Sequence, residues 1–288
     1  MTVRQAAAHG NAELKNAGIE TYSLDSSILL CSCLNTGKTG LLAMGEEALD
    51  ENTLAAFYTL IKRRKEGECI AYILGKKEFF GLEFLVNSSV LVPRPDTEIL
   101  VEAAIEILKK EAENHNKKSK IRVLDLCTGS GAIAIALKSS LPQIEIHAAD
   151  ISAEAIEVAK ENANLLLGKN TVNFYHGDLF DALPAQQYSL IVSNPPYIAS
   201  NEIKTLRREV QKEPRIALDG GISGLSIIER IIERAHLFLK RGGIILIEAD
   251  PRQMKKIESS LEKRNFRDIK LYKDLSGRER VIGGKYEM

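Results

Sequence analysis

From Val3 to about Ala71 the apolar positions recur at three- and four-residue intervals, the spacing of helices that each bury one face. An Ala-rich segment ends near Gly18, an apolar run covers Leu24 to Leu34, and Glu51 to Lys65 carries Leu54, Phe57, Leu60 and Ile61. Residues 1–75 are therefore expected to form a small all-helical domain. Between Glu78 and Val92 the period shortens to two, with Phe80-Gly81 and Asn87-Ser88 as turn signals, which predicts a β-hairpin linker over residues 76–95. Pro93-Arg94-Pro95 stops any strand and opens a helix from about Asp96 through Leu108. The polar stretch Glu111 to Lys120 reads as the fraying end of that helix and a surface loop.

After Lys120 strands and helices alternate: strand Ile121–Leu126, helix Ala132–Leu137, strand Ile144–Ala149, helix Ala153–Leu166, then strands Val172–His176 and Leu190–Ser193. Helix Ser226–Leu239, strand Gly243–Glu248, helix Pro251–Lys263 and two closing strands near Ile269–Tyr272 and Arg280–Ile282 complete the pattern. Such alternation requires a parallel sheet with helices on both faces, so residues 96–288 are expected to be an α/β domain.

The 288 residues suit two globular domains, and Lys plus Arg equals Asp plus Glu at 39 each, so no global field draws the chain to nucleic acid or an anionic membrane. No leader-like or membrane-spanning apolar run occurs, and a cytoplasmic protein is expected. Cys31, Cys33, Cys69 and Cys127 lack metal-ligand spacing and read as free thiols, so no metal is expected. Lys62-Arg63-Arg64-Lys65 could face a phosphate, but a basic run at a helix end more simply complements the helix dipole.

The first chemical signal is strand Arg122–Leu126 running into Cys127-Thr128-Gly129-Ser130-Gly131-Ala132-Ile133-Ala134, a tight loop that opens a helix. A ligand is expected at that strand's carboxyl end. Gly129, Gly131 and Ala134 fit a nicotinamide fingerprint as well as a methyltransferase loop, and Asp150, 19 residues beyond Gly131, fits a ribose-binding carboxylate in either. Asp125 separates the two, because a carboxylate before the glycines repels a pyrophosphate and attracts a cationic sulfonium amino acid; the alternative is that it caps loop amides. Asp178, in Gly177-Asp178-Leu179-Phe180, is placed to accept from an adenine amino group or to cap a helix.

Asn194-Pro195-Pro196-Tyr197, after the fourth strand, is the strongest signal. Two prolines fix the backbone and contribute no N–H donors. The Asn194 side-chain oxygen and the Pro195 carbonyl can each accept one N–H of a planar NH₂ group, with Tyr197 on its flat face. The expected cofactor is S-adenosylmethionine, and the expected acceptor an amide or aromatic amine.

Taken together these motifs resemble the protein-(glutamine-N5) methyltransferases of peptide-chain release factors, the HemK or PrmC family. The resemblance runs through Tyr72-Ile73-Leu74-Gly75 with Phe79 and Gly81, then Val92-Pro93-Arg94-Pro95-Asp96-Thr97-Glu98, Asp125 to Gly131 and Asn194 to Tyr197, and ends with Glu213-Pro214-Arg215-Ile216-Ala217-Leu218-Asp219-Gly220-Gly221 and Gly224-Leu225. It implies a seven-stranded, Rossmann-like class I methyltransferase domain behind a helical domain that helps to dock the release factor. It also implies that Asp125, Cys127, Thr128, Gly129, Ser130, Gly131, Asp150, Asp178, Leu179 and Asn194 line S-adenosylmethionine, while Asn194, Pro195, Pro196 and Tyr197 bind the glutamine of a Gly-Gly-Gln loop in a class 1 release factor.

Cys127 stands where this family commonly has glycine, which implies a negative φ there; Cys69 stands where proline is usual, and Asp250 where Glu-x-Gly is the commoner strand ending. Arg94 and Glu98 either support the cofactor pocket or pair with each other at the helix start. Two other acceptors share the tetrapeptide, a ribosomal-protein glutamine and the adenine N6 of a nucleic acid. The neutral charge and absent Trp weigh against the second, so no nucleic-acid substrate is expected.

Overall fold

The computed structural model describes residues 1–114 and 120–287, and the chain divides into two compact units, Met1–Lys76 with Arg207–Lys212, and Lys77–Leu206 with Glu213–Met288.

The first unit is helical: α1 (Val3–Asn16), α2 (Tyr22–Cys33), α3 (Lys38–Ala43), α4 (Glu51–Lys65) and α5 (Ile70–Leu74). Thr2 begins α1 in a capping box with Gln5, and Asp50 begins α4 by accepting the Thr53 amide at 2.9 Å. The expected apolar faces meet in one core that includes Leu14, Leu29, Leu30, Phe57 and Ile61. The basic run at the end of α4 is largely consumed internally. Arg63 pairs with Glu68, Lys65 with Glu13, and the buried Arg64 with Asp25 and Glu209, each at 2.7 Å. Glu209 belongs to the segment Arg207–Lys212, which no periodicity assigns to a helical unit. Because Asp25 is also buried, removing the guanidinium leaves a carboxylate in a low-dielectric site. Arg64→Ala is expected to destabilise the protein by about 3–5 kcal/mol, measured by urea denaturation followed by circular dichroism.

The second unit opens with a hairpin, β1 (Lys76–Phe79) and β2 (Leu82–Leu85), whose Phe79 and Phe84 are fully buried beside Leu100 and Ala104. The hairpin expected as a linker thus supplies part of this unit's core. A 3₁₀ turn at Pro95–Thr97 leads into α6 (Glu98–Asn114), which runs past the end expected at Leu108. Of the surface loop expected over Glu111–Lys120, residues 115–119 lie outside the described residues. There follow β3 (Arg122–Leu126), α7 (Ala132–Ser140), β4 (Glu145–Asp150), α8 (Ala153–Leu166), β5 (Asn173–His176), β6 (Tyr188–Ser193), α9 (Ser226–Phe238), β7 (Leu239–Glu248), α10 (Met254–Lys263), β8 (Phe266–Lys273) and β9 (Glu279–Tyr286).

The seven strands β3 to β9 form one sheet, ordered β5-β4-β3-β6-β7-β9-β8, with β9 antiparallel to both neighbours. β3 and β6 run parallel, and the order in which strands are added reverses between them, the switch point at which α/β sheets open a crevice at their strand ends. Cores on the two faces share this sheet. Val123, Leu190 and Val192 point to α6 and α7, and Leu124, Ile191 and Ile245 to α9 and α10. Strands β6, β7, β8 and β9 are longer than their apolar pattern, and for two of them the reason is visible. Strand β7 carries a bulge, with Gly242 at φ +75°, that lets Leu239 pair with Tyr188 ahead of the regular ladder. In β9, Gly283 lies where a Cβ would stand 2.5 Å from the Leu246 side chain, so the residue that permits the close packing also erases the alternation. Among the described residues no helix is long and apolar enough to cross a membrane.

Candidate active site

The loop after β3 is held from below and from the side. Asp125 is fully buried; its Oδ2 accepts the Thr128 hydroxyl at 2.6 Å and the Ala134 amide at 3.2 Å, binding the loop to the first turn of α7. The Gly129 amide reaches Asp150 Oδ2 at 2.8 Å, and the Thr128 amide the Ala149 carbonyl at 3.1 Å, which stitches the loop to the end of β4. To make these turns Cys127, Gly129 and Gly131 adopt φ of +60°, +55° and +81°. The negative φ expected for Cys127 is therefore corrected. The ties on either side impose a left-handed backbone on a residue with a Cβ, at a cost of about 1–2 kcal/mol. Cys69 is at φ −73° and ψ 153°, a proline-like conformation that needs no proline, and Asp250 caps the turn at Pro251–Gln253 where glycine is commoner.

Asp125 serves the loop more than the electrostatic purpose expected of it, since it lines neither cavity described below. Burial pushes its carboxyl up to about 7, while the Thr128 and Ala134 hydrogen bonds pull the other way. Its Oδ1 has no partner among the described residues, so no donor there stabilises the charged form. Between about pH 4, where the unfolded carboxyl ionises, and about pH 7, the native state keeps a proton that the unfolded state has lost. Stability therefore falls as pH rises through that window and is flat above it. Unfolding free energies from urea titrations should drop less between pH 5 and pH 8 in Asp125→Asn than in the parent protein.

Two adjoining cavities of about 750 and 960 Å³ open at the carboxyl ends of β3, β4 and β6. Cys127, Asp150, Ile151, Pro196 and Ile216 line both. Thr128, Gly129, Ser130 and Asn194 line the first alone, and Asp178 and Leu179 the second. The structure thus brings most of the expected site residues together, while Asp125, Gly131, Pro195 and Tyr197 are not among the residues that line these two cavities. Asp150 presents its carboxylate at the junction, accepting from the Gly129 and Ser152 amides, and burial raises its pKa. Asp178 is partly engaged by Arg230 at 2.7 Å. Ile151 is 48% exposed and Ile216 54%, although both are apolar wall residues. Sequence reading missed them. The signal was an isoleucine next to each of two polar motifs, after Asp150 and after Arg215.

The tetrapeptide is braced on every side. Ser193 anchors the end of β6 by donating to the Leu126 carbonyl at 2.8 Å. Asn194 donates its Nδ2 to the Thr97 hydroxyl oxygen at 3.0 Å, and its Oδ1 takes no hydrogen bond from the described residues. Tyr197 packs on the α9–α10 face of the sheet and directs its hydroxyl to Glu248 Oε1 at 3.4 Å. Gln253 donates to the Tyr197 carbonyl at 3.0 Å, and Ile198 exchanges backbone bonds with Leu218 and Gly220. The loop containing Glu213 to Gly221 is latched in turn, for Glu213 is buried, accepts the Val92 amide and pairs with Arg94. Glu98 instead accepts the Phe80 amide in the hairpin turn at 2.9 Å, so Arg94 and Glu98 do not pair with each other. Thr97, Glu248, Glu213 and Gln253 were not legible as site residues, because each reaches the site from a distant part of the chain.

With this geometry in hand, comparison with known proteins decides the family. Residues 5–75 match the PrmC N-terminal domain and residues 101–221 the methyltransferase small domain. The release factor glutamine methyltransferase of Pasteurella multocida is 39% identical over 269 residues, 90% of each chain. That of Escherichia coli is 37% identical over 267 residues, 93% of each. The chain belongs to the release factor glutamine methyltransferase family. A methyltransferase structure from Pyrococcus furiosus, 17% identical with a TM-score of 0.52 over 79% of this chain and 98% of its own, shares the fold alone. Membership of the release factor glutamine methyltransferase family makes the chain an S-adenosylmethionine-dependent methyltransferase.

The cavity walls fit that cofactor. A carboxylate at Asp150 suits ribose hydroxyls, Cys127 to Ser130 line the first cavity, and Ile151, Leu179 and Ile216 offer apolar walls for a purine.

Proposed function

We propose that the protein methylates the side-chain amide nitrogen of the glutamine in the Gly-Gly-Gln loop of class 1 peptide-chain release factors, in the cytoplasm, with S-adenosylmethionine as donor and S-adenosylhomocysteine as product. The observation that carries this reading is the Asn194 amide, fixed at the cavity wall by Thr97 so that its oxygen is left to accept. The names of the full-length relatives support the choice of substrate.

Cys127, Thr128, Gly129, Ser130, Asp150, Asp178 and Leu179 would hold the cofactor, and Asp125 and Gly131 would shape the loop that does so. The chemistry it supplies when bound is an electrophilic methyl carbon on a sulfonium sulfur. An amide nitrogen is a weak nucleophile because its lone pair is delocalised into the carbonyl. Asn194 Oδ1 and the Pro195 carbonyl would accept its two N–H groups, aim the lone pair and favour the positive charge that develops on nitrogen. Once methylated, the nitrogen carries a positive charge that makes it strongly acidic, and it releases one proton to solvent water, so no strong base is needed. Pro196 would close one side, and Tyr197, anchored through Glu248, would lie along the flat face of the amide. Residues 1–75 would dock the protein partner.

The test uses methyl-labelled S-adenosylmethionine with purified release factor, the same factor with its loop glutamine changed to alanine, a ribosomal-protein fraction and DNA. Label on the intact release factor alone is expected. Label on a ribosomal protein or on DNA would overturn the substrate.

A further inference from the structure

The two ends of the tetrapeptide, Asn194 and Tyr197, converge on one carboxyl group. Thr97, 4% exposed in the turn at Pro95–Thr97, accepts from Asn194 Nδ2 at 3.0 Å. A hydroxyl that has accepted one hydrogen bond has a single proton to give, and the acceptor beside it is Glu248 at the end of β7. Tyr197 gives its own proton to the same carboxyl, at 3.4 Å from Oε1. With the Thr97 proton given to Glu248, donor direction would be uniform, from Asn194 to Thr97 to Glu248.

We infer that Thr97 and Glu248 are positioning residues that set which end of the Asn194 amide faces the methyl acceptor. The inference rests on the proposed role of Asn194. An amide is nearly symmetric in shape, and the wrong rotamer would present NH₂ to NH₂. That rotamer would also set Asn194 Oδ1 against Thr97, and the Thr97 proton could satisfy it only by leaving Glu248. The carboxyl thus selects the productive rotamer from two bonds away.

The surroundings of Glu248 suit this role better than a packing role. It is 1% exposed, and among the described residues its Oε2 has no partner and no ion pair neutralises it. The nearby cation, Arg280 on β9, is bound to Asp96 and Asp274, each at 3.0 Å. The groups that face Glu248 are Asp96 and Thr97 from the turn, Tyr197 from the tetrapeptide and Arg280. Burial, with Asp96 adding to it, lifts the carboxyl to about 7 against the pull of Thr97, Tyr197 and Arg280. A carboxylate accepts from both hydroxyls at once, whereas the protonated acid has a proton of its own to place and competes with Asn194 for the Thr97 oxygen. Turnover should accordingly rise as pH passes through about 7.

The experiment measures kcat, KM for release factor, S-adenosylhomocysteine affinity and melting temperature for Thr97→Val, Thr97→Ser, Glu248→Gln and Asn194→Ala in the full chain. Thr97→Val keeps the shape and loses the acceptor, so kcat should fall by about thirtyfold or more, in the range expected of a misaimed reacting group, with cofactor-product affinity within about threefold of the parent. Thr97→Ser should restore most of the rate. Glu248→Gln should flatten the rise in kcat near neutral pH. If Thr97→Val turns over normally while Asn194→Ala is inactive, the positioning role is wrong and the role of Asn194 stands; an active Asn194→Ala overturns the underlying reading instead. Equal losses in the Val and Ser variants, matched by lost stability, would reduce Thr97 to a structural residue and overturn the inference as well.

Discussion

Asn194→Ala should lower kcat by about a hundred- to a thousandfold, ~3–4 kcal/mol of barrier, the range found when one preorganised polar contact to a developing charge is removed. The affinity for S-adenosylhomocysteine should change far less, because Cys127 to Ser130, Asp150 and Leu179, also proposed to hold the cofactor, line the cavities beside Asn194. The loss belongs in kcat because Oδ1 acts on a nitrogen that is almost uncharged before reaction and positive during it, so the interaction strengthens toward the transition state. Isothermal titration with S-adenosylhomocysteine, beside single-turnover labelling of release factor, separates the two effects. Full turnover in this variant would remove the acceptor site from Asn194-Pro195-Pro196-Tyr197 altogether. Lost binding with proportionate loss of turnover would make Asn194 a cofactor residue alone.

How much of the candidate site was legible in the sequence follows from the kind of signal each part emits. The strand Arg122–Leu126 and its loop were legible because burial on both faces of a parallel strand leaves an apolar run, here Val123 to Leu126 broken only by Asp125, and the run ends where glycines begin. The tetrapeptide was legible because two consecutive prolines at a strand end have few other uses. Parts that act by meeting across space emit no such signal. Thr97 lies in a turn and Glu248 at a strand end; only the sheet order, which places β7 beside β6, brings the carboxyl under Tyr197. The membership of Arg207–Lys212 in the helical unit is of the same kind, since its Glu209 is chosen by Arg64. Cys127 illustrates the opposite error. Its residue type argued for a negative φ, but the hydrogen bonds of Thr128 and Gly129 to the end of β4 decide the backbone, and local preference yields to them.

The same contrast between local preference and tertiary contact predicts the second large effect, at Gly220. This residue lies in the loop that pairs with the chain just beyond the tetrapeptide, its amide donating to the Ile198 carbonyl at 2.8 Å. A Cβ at Gly220 would stand 2.6 Å from the Gly224 carbonyl oxygen and 2.7 Å from that of Pro196. Both neighbours are backbone, so no side chain can turn aside. Gly220→Ala must push the loop away from Asn194-Pro195-Pro196-Tyr197 or deform the tetrapeptide itself. Overpacking of this sort costs about 1–3 kcal/mol of stability. Because a displacement of about 1 Å at reacting groups costs about a hundredfold in rate, turnover should fall much further than stability implies. Gly277→Ala is the matched control. Gly277 has φ +79° with open space around it, so alanine there meets backbone strain alone, about 1–2 kcal/mol, and the rate should be that of the parent protein. Melting temperature and kcat measured on both variants distinguish the cases. If Gly220→Ala lost only as much as Gly277→Ala, the loop from Asp219 to Leu225 would not be what holds the acceptor site in shape. A hundredfold loss of kcat in Gly220→Ala alone would show that the acceptor geometry is set by this backbone contact, which only a residue without a Cβ permits.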